Sequence, residues 1–178
     1  MFELKIVRNE TSPGYDTQRR ITDFEAAQAF LADYFRPLDR EHLVVLCLDA
    51  HKAPIGWNLV AIGSLDEVAA AQREVFKAAV LANAHSIVLA HNHPTGKSLP
   101  SEGDLKFTQA ALRAGEILNI PVLDHLVFGP DGCTSVRRYV ADGANGAMAT
   151  VLGARPGEDP MDAILRLLAR RGAKVIEV

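Results

Sequence analysis

The chain has 178 residues, which is enough for one sizeable hydrophobic core but too few for two ordinary domains with room to spare. Hydrophobic residues make up 48% and charged residues 23%, close to the average of soluble globular proteins, so wholesale disorder is excluded. The 19 basic and 22 acidic side chains give a formal net charge of −3. The basic excess of a dedicated nucleic-acid-binding protein is therefore absent.

The cysteines and the hydropathy of the chain predict its compartment. Cys47 and Cys133 are the only cysteines and neither belongs to a C-x-x-C pattern, so neither a disulfide framework nor a cysteine zinc site is indicated. The amino-terminal segment carries charges among its apolar residues, and no stretch approaches the roughly 18 apolar residues of a membrane-spanning helix. We expect a protein of the reducing cytoplasm that neither is secreted nor spans a membrane.

The first predicted elements are a strand and a helix. Apolar residues alternate with polar ones from Phe2 to Ile6, which predicts a short strand followed by a loop. Thr22 and Glu25 form a capping-box pattern, and apolar residues then recur at helical spacing up to Pro37. This pattern predicts a first helix.

A hairpin is predicted next. Two apolar runs of strand length, residues 43–48 and 59–62, are separated by the turn-like segment 49–56. Trp57, the single tryptophan, is expected in a loop beside that turn.

The central part of the chain alternates helices and strands. A second helix is predicted from an apolar face formed by Val68, Ala71, Val75, Phe76 and Ala79. The buried strand 87–90 then leads into His91, and a third helix begins at Ser101. Two short strands, 121–123 and 126–128, are expected after that helix.

A change of composition marks the end of the main domain. Residues 142–159 are rich in Gly, Ala, Asn and Pro, which is typical of a linker. We therefore predict an N-terminal strand and loop at residues 1–21, a main domain at 22–140, and a linker with a short C-terminal helix and strand at 141–178.

The segment A-H-N-H-P-T-G-K-S-L-P-S-E-G-D contains His91 and His93, then Ser101 eight residues later and Asp104 after three more. If the two histidines lie just past a strand end, period-two geometry points both side chains to the same side. A carboxylate from the first turn of the next helix completes three ligands and leaves a fourth position for water, as in catalytic zinc sites. This ligand set suits zinc without excluding iron, nickel or manganese.

Each part of this pattern also has a structural interpretation. Ser101 and Asp104 form a near capping box, and histidines are common at strand ends. The conjunction of all four residues in this order is much rarer than any one part, so the metal site is the preferred interpretation. Hydrolysis at such a metal also needs a carboxylate base. Glu41 and Glu74 are the candidates.

The motif resembles the H-x-H-P-(x)6-S-x-x-D core of the JAMM or MPN+ metallopeptidases. The stretches A-H-N-H-P-T-G, L-P-S-E-G-D, I-P-V-L-D-H-L and R-E-V-F are similar, more closely, to the RadC branch of that superfamily. The resemblance spans about residues 20–140. It implies that His91, His93 and Asp104 bind zinc and that Ser101 stabilises the oxyanion of the tetrahedral intermediate.

The resemblance also orders the two glutamates. The general base of the family lies upstream of the histidines, near the start of a core strand, and Glu41 matches that placement. Glu74 falls instead inside the R-E-V-F helix, so Glu41 is the preferred base.

The fold implied by the resemblance is α/β: a mixed, curved sheet with flanking helices, the cytidine-deaminase-like arrangement of JAB or MPN domains. The implied activity is zinc-dependent hydrolysis of a peptide or isopeptide bond in a protein or peptide substrate, with a ubiquitin-like conjugate among the candidates. The alternative is a DNA-repair or mobile-element-associated role with little or no peptidase activity, although the net charge does not support DNA binding. Deamination is excluded because the chain lacks a P-C-x-x-C ligand pair. The oligomeric state stays open.

Two neighbours of the motif have competing interpretations. His125 follows Asp124 at a predicted strand start, and we prefer a structural pair between them over a hydrogen bond from His125 to a ligand histidine. Asn92 lies between the two ligand histidines and is expected to point away from the metal.

Overall fold

The computed structural model describes residues 19–63, 71–94 and 96–145, the last four of them through their backbone alone. The predicted strand near the N-terminus and the predicted helix and strand at the C-terminus lie outside these residues. The chain divides into two compact units, Met1–Thr134 and Ser135–Val178. The domain boundaries predicted at residues 21 and 140 stay predictions.

Nine elements follow one another in the described part of the chain. They are α1 (Phe24–Phe35), β1 (His42–Leu48), β2 (Pro54–Ile62), α2 (Gln72–Leu81), β3 (Ser86–Asn92), α3 (Glu102–Leu118), β4 (Val122–Gly129), β5 (Gly132–Ser135) and α4 (Val136–Asn145). The strands form one sheet in the order β2-β1-β3-β4-β5, in which β1 is antiparallel to β2 and β3 while β4 is parallel to β3. The predicted α/β class with a mixed sheet and flanking helices is confirmed. Among the described residues, no helix is both long and apolar enough to cross a membrane.

The two faces of the sheet are buried against different helices. Helix α1 packs on one face through Leu31 and Phe35, which contact the even-numbered residues of β1. Helices α2 and α3 pack on the other face, against the odd-numbered residues of β1. Because side chains alternate along a strand, both sets of β1 residues are buried, and burial of each large apolar side chain stabilises the fold by about 1.5–3 kcal/mol.

The cap of α1 differs from the predicted one by a single residue. The side chain of Asp23 accepts a hydrogen bond from the amide of Ala26 at 2.8 Å, while the Thr22 hydroxyl donates to the Asp23 carboxylate at 3.0 Å. The prediction that Thr22 and Glu25 form the cap is therefore wrong. Threonine and aspartate are both good capping residues, so the sequence offered two adjacent candidates.

The predicted hairpin of β1 and β2 is confirmed, but its turn is shorter than expected. The carboxylate of Asp49 accepts hydrogen bonds at 2.8 Å from the amides of His51 and Ala53, which closes the turn by residue 53. Strand β2 consequently begins at Pro54, and Trp57 pairs with Leu46 inside the strand. The loop position predicted for Trp57 is wrong.

The last elements also differ from the prediction. Residues 121–128 do not form two short strands, because β4 runs without a break and pairs with β3 from Val122 to Phe128. Strand β5 and helix α4 were not predicted, and α4 continues to Asn145, past the predicted start of the linker at Asp142.

We expect both cysteines to be unreactive in the folded protein. Burial raises the pKa of the Cys47 thiol to about 11 and that of the Cys133 thiol to about 12. Because the thiolate is the reacting form, DTNB at about pH 8 should label neither thiol in native protein but both in guanidinium chloride. A Cys47→Ala variant, labelled once when unfolded, assigns the signals, and rapid labelling of the native chain would contradict the raised pKa values of the buried Cys47 and the partly buried Cys133.

Candidate metal centre

His91 and His93 lie at the carboxyl end of β3, on the face of the sheet that α3 covers. His91 is inside the strand, between Leu43 of β1 and Val127 of β4, and its side chain is fully buried. His93 follows the end of the strand, and its amide donates to the Phe128 carbonyl at 2.8 Å. The expectation that both histidines follow the strand is thus wrong for His91, but the predicted convergence of the two side chains is confirmed.

The three predicted ligands meet at one point. His91 Nε2 lies 3.0 Å from His93 Nε2 and 3.1 Å from Asp104 Oδ1, and His93 Nε2 lies 3.5 Å from Asp104 Oδ2. Ligand atoms bound tetrahedrally at about 2.1 Å from a metal ion lie roughly 3.4 Å apart. With one ligand atom taken from each residue, the three atoms lie within 4.8 Å of one another, so His91, His93 and Asp104 could hold a metal ion.

Ser101 caps α3 and holds Asp104 at the same time. The Ser101 hydroxyl accepts a hydrogen bond from the Asp104 amide at 3.1 Å, and the Ser101 amide and hydroxyl both donate to Asp104 Oδ2 at 2.7 Å. The capping-box interpretation is confirmed, and it does not compete with metal binding because Asp104 Oδ1 faces His91. The predicted oxyanion role of Ser101 stays a prediction, since its hydroxyl hydrogen is donated to Asp104 here.

The site favours a positive charge. Burial of Asp104 opposes its ionisation, but hydrogen bonds from His91 and His93 outweigh this effect and hold its pKa well below the ordinary value. The hydrogen bond to Asp104 in turn raises the pKa of His93 to about 9, although burial acts in the opposite direction. A buried carboxylate between two imidazoles is stabilised by a cation, which is either a proton or a metal ion.

The orientation of His93 is set by the loop that follows it. His93 Nδ1 donates to the Lys97 carbonyl at 2.9 Å, which leaves Nε2 directed towards Asp104. The loop lies against the end of β4, where a Cβ on Gly129 would meet Ser98 N at 2.6 Å. The carboxylate of Asp131 also accepts from the Ser98 amide at 2.8 Å. Gly129 was not singled out from the sequence, where it only preceded a turn.

His125 directly contacts His91, one of the three predicted ligands. Its Nε2 lies 2.8 Å from His91 Nδ1, and its Nδ1 lies 2.6 Å from the Thr108 hydroxyl. Burial and the charge of His91 lower the pKa of His125 well below the ordinary value. The preferred interpretation, a structural pair with Asp124, is wrong for the imidazole, because its two nitrogens contact His91 and Thr108, while Asp124 accepts the backbone amide of His125. Thr108 was missed, although it lies one helical turn after Asp104.

Glu41 directly precedes β1, and its charge contributes to raising the pKa of His93. The backbone on both sides of it is fixed by Asn92, which points away from the histidines as expected. Asn92 Oδ1 accepts from the His42 amide at 2.8 Å, and Asn92 Nδ2 donates to the Arg40 carbonyl at 2.9 Å. The residue between the two ligand histidines therefore positions the backbone that carries the preferred base.

Glu74 has a different environment. It lies in the first turn of α2, and its carboxylate forms ion pairs with Lys77 at 2.6 Å and with Arg73 at 3.3 Å. The hydrogen bonds to these two side chains lower the pKa of Glu74, with the Lys77 bond contributing most. The structure places Glu74 in a surface ion-pair cluster rather than beside the histidines.

Removal of the Asn92 side chain should destabilise the fold. Asn92 is 4% exposed and bonds two backbone groups, so Asn92→Ala is expected to lower the free energy of unfolding by about 1–3 kcal/mol. Urea denaturation measures this change. The control is Asn58→Ala on β2, because Asn58 is half-buried and donates to the adjacent Leu59 carbonyl at 3.2 Å. Equal losses of unfolding free energy in Asn92→Ala and Asn58→Ala would show that the two hydrogen bonds of the Asn92 side chain contribute nothing to stability.

Comparisons with known proteins agree with the site. The family described as RadC-like JAB domain matches residues 21–141, which include every residue of the candidate metal site. A UPF0758 protein of Picosynechococcus sp. is 39% identical over 117 residues, which cover 66% of this chain and 48% of that protein. A UPF0758 protein of Thermosynechococcus vestitus is 39% identical over 129 residues, which cover 72% of this chain and 50% of that protein. A UPF0758 protein of Moorella thermoacetica is 42% identical over 107 residues, which cover 60% of this chain and 47% of that protein.

The chain spans about half the length of these curated relatives, and their names state neither an activity nor a substrate. The mixed sheet with helices on both faces is consistent with a JAB or MPN domain. The match over residues 21–141 covers more than half of the chain. This chain therefore belongs to the family of RadC-like JAB domains.

Proposed function

We propose that this protein is a zinc-dependent hydrolase of peptide or isopeptide bonds. The observation that carries the proposal is the convergence of His91, His93 and Asp104: the two Nε2 atoms lie 3.0 Å apart, and Asp104 approaches His91 through Oδ1 at 3.1 Å and His93 through Oδ2 at 3.5 Å. Two imidazoles and one carboxylate suit zinc, and three protein ligands leave a position open for chemistry. Membership of the JAB domain family supports a hydrolase, while the substrate and the peptidase activity belong to the proposal.

Each nearby residue has a defined task in amide hydrolysis. When bound, zinc lowers the pKa of water to about 7 and polarises the carbonyl of the substrate. Glu41 removes the proton from the attacking water as the new C–O bond forms, and it then passes this proton to the leaving nitrogen as the tetrahedral intermediate collapses and the C–N bond breaks. Ser101 stabilises the oxyanion when its hydroxyl turns from Asp104 Oδ2 towards the substrate. The products are a carboxylic acid and an amine.

The choice of Glu41 as the base is supported by its environment. Its charge acts on His93, and Asn92 fixes the backbone on either side of it. Glu74 is instead engaged by Lys77 and Arg73.

A protein or peptide is the proposed substrate, with ubiquitin-like conjugates as one class to test. The net charge of −3 gives no support to DNA as the principal ligand. Two unpaired cysteines fit a reducing compartment, so the cytoplasm is the proposed location.

Zinc should bind in a 1:1 ratio and depend on the histidines. We expect purified chain loaded with Zn²⁺ to retain about one equivalent after gel filtration, and His91→Ala to retain none, because two ligands cannot hold the ion tightly. Metal analysis by mass spectrometry measures the ratio. His51→Ala is the matched control, since His51 lies exposed in the β1–β2 turn. Wild-type protein that takes up no transition metal would contradict the proposed site.

Glu41→Gln should abolish hydrolysis without removing the metal. Loss of a general base lowers the rate by roughly 10²–10⁴-fold, whereas the zinc content should stay at the wild-type level. Cleavage of a fluorogenic peptide library and of ubiquitin-like conjugates provides the assay. Glu74→Gln is the control and should keep the wild-type rate.

Two results would contradict this assignment. A rate that falls in Glu74→Gln and persists in Glu41→Gln would exchange the roles of the two residues. Salt-sensitive DNA binding that is unchanged in Glu41→Gln, in a protein that cleaves no amide, would favour the DNA-associated alternative.

A further inference from the structure

A buried chain of hydrogen bonds runs from α3 through β4 to the ligand His91. The Thr108 hydroxyl lies 2.6 Å from the Asp104 backbone carbonyl and 2.6 Å from His125 Nδ1, and His125 Nε2 lies 2.8 Å from His91 Nδ1. Thr108, His125 and His91 are exposed by 3%, 1% and 0%. Because bulk water does not reach these groups, each of them must satisfy its hydrogen bonds within the chain.

The donor and acceptor of every hydrogen bond in this buried series follow from the first bond, between Thr108 and Asp104. A backbone carbonyl has no hydrogen to donate, so the Thr108 hydroxyl donates to the Asp104 carbonyl. A hydroxyl has a single hydrogen, so Thr108 must accept from His125, which places a hydrogen on His125 Nδ1. Neutral His125 then presents the lone pair of Nε2, and His91 Nδ1 donates to it.

We propose that Thr108 and His125 are positioning residues that keep a hydrogen on His91 Nδ1, so that Nε2 faces Asp104 and binds the metal once the proton it shares with that carboxylate has left. This inference rests on the metal site of the proposed function but not on the hydrolytic step. The Nδ1 hydrogen of His93 is fixed by a shorter route, because this nitrogen donates to the Lys97 carbonyl. Both Nε2 atoms are thereby directed to Asp104.

Reversing the hydrogen bonds between Thr108, His125 and His91 would prevent metal binding at His91. If Thr108 donated to His125 Nδ1, the hydrogen of His125 would move to Nε2 and His91 would have to accept it at Nδ1. The remaining hydrogen of His91 would then lie on Nε2, where it blocks metal binding. The Asp104 carbonyl prevents this arrangement by taking the Thr108 hydrogen. Asp104 is thus connected to His91 on two sides, through its carboxylate and through its backbone.

The test compares two substitutions of Thr108. Thr108→Ser keeps the hydroxyl, whereas Thr108→Val keeps the shape and removes the acceptor for His125. Long-range ¹H–¹⁵N NMR of metal-free protein reports the tautomer of each histidine, and competition with a chelator measures the affinity for Zn²⁺. We expect His91 to carry a hydrogen on Nδ1 in wild type and in Thr108→Ser, with similar zinc affinity. In Thr108→Val the tautomers of His91 and His125 should shift, and zinc affinity should fall about 10–100-fold.

A second pair of variants covers the case in which Thr108→Val does not fold. His125→Gln offers an amide oxygen to His91 and should retain more zinc affinity than His125→Leu, which offers no acceptor. Wild-type His91 without a hydrogen on Nδ1 would overturn the proposal, as would Thr108→Val with unchanged tautomers and unchanged zinc affinity. Wild-type protein that binds no zinc overturns this proposal together with the metal site. Zinc binding with the expected tautomers but without amide cleavage overturns the hydrolase proposal alone.

Discussion

Asp104 is 3% exposed, and the negative charge of its carboxylate must be compensated where it lies. Two imidazoles approach it from β3, and the amide and hydroxyl of Ser101 donate to Oδ2. A buried charge is tolerated only when it is paired and hydrogen-bonded. The first turn of α3 and the end of β3 are therefore constrained to stay together, and the point where they meet is suited to a cation. The shape of the site follows from this single requirement.

The residues that hold the ligands also hold the fold. Ser101 begins α3 by capping it, and Thr108 bonds back to the carbonyl one turn earlier. Gly129 lets the loop after His93 lie against the end of β4, so that the Lys97 carbonyl can accept from His93. A structural and a functional interpretation of such residues describe the same contacts. For Ser101 in particular, the capping box is the means by which Asp104 is oriented.

The distinction between the two glutamates shows how a site is assembled from distant parts of a chain. Glu41 and Glu74 are both acidic residues upstream of the histidines, and spacing alone does not separate them. Pairing of β1 with β3 brings the start of β1 to the carboxyl end of β3, where Asn92 bonds the backbone around Glu41. Glu74 lies instead on a solvent-exposed surface, where its carboxylate pairs with two basic side chains. Strand register therefore supports the chemistry proposed for Glu41.

Local sequence predicted the helices and strands up to α3 and the candidate ligand set, because both depend on short-range spacing. Period-two geometry places His91 and His93 on one face, and a helix start three residues before Asp104 turns its carboxylate towards them. Non-local packing decided the rest. It made β4 one continuous strand. It also brought His125 into contact with His91, 34 positions away, and with Thr108, 17 positions away. No local pattern encodes such a pairing, since the strand register and the helix that covers it are fixed only when the whole core is packed.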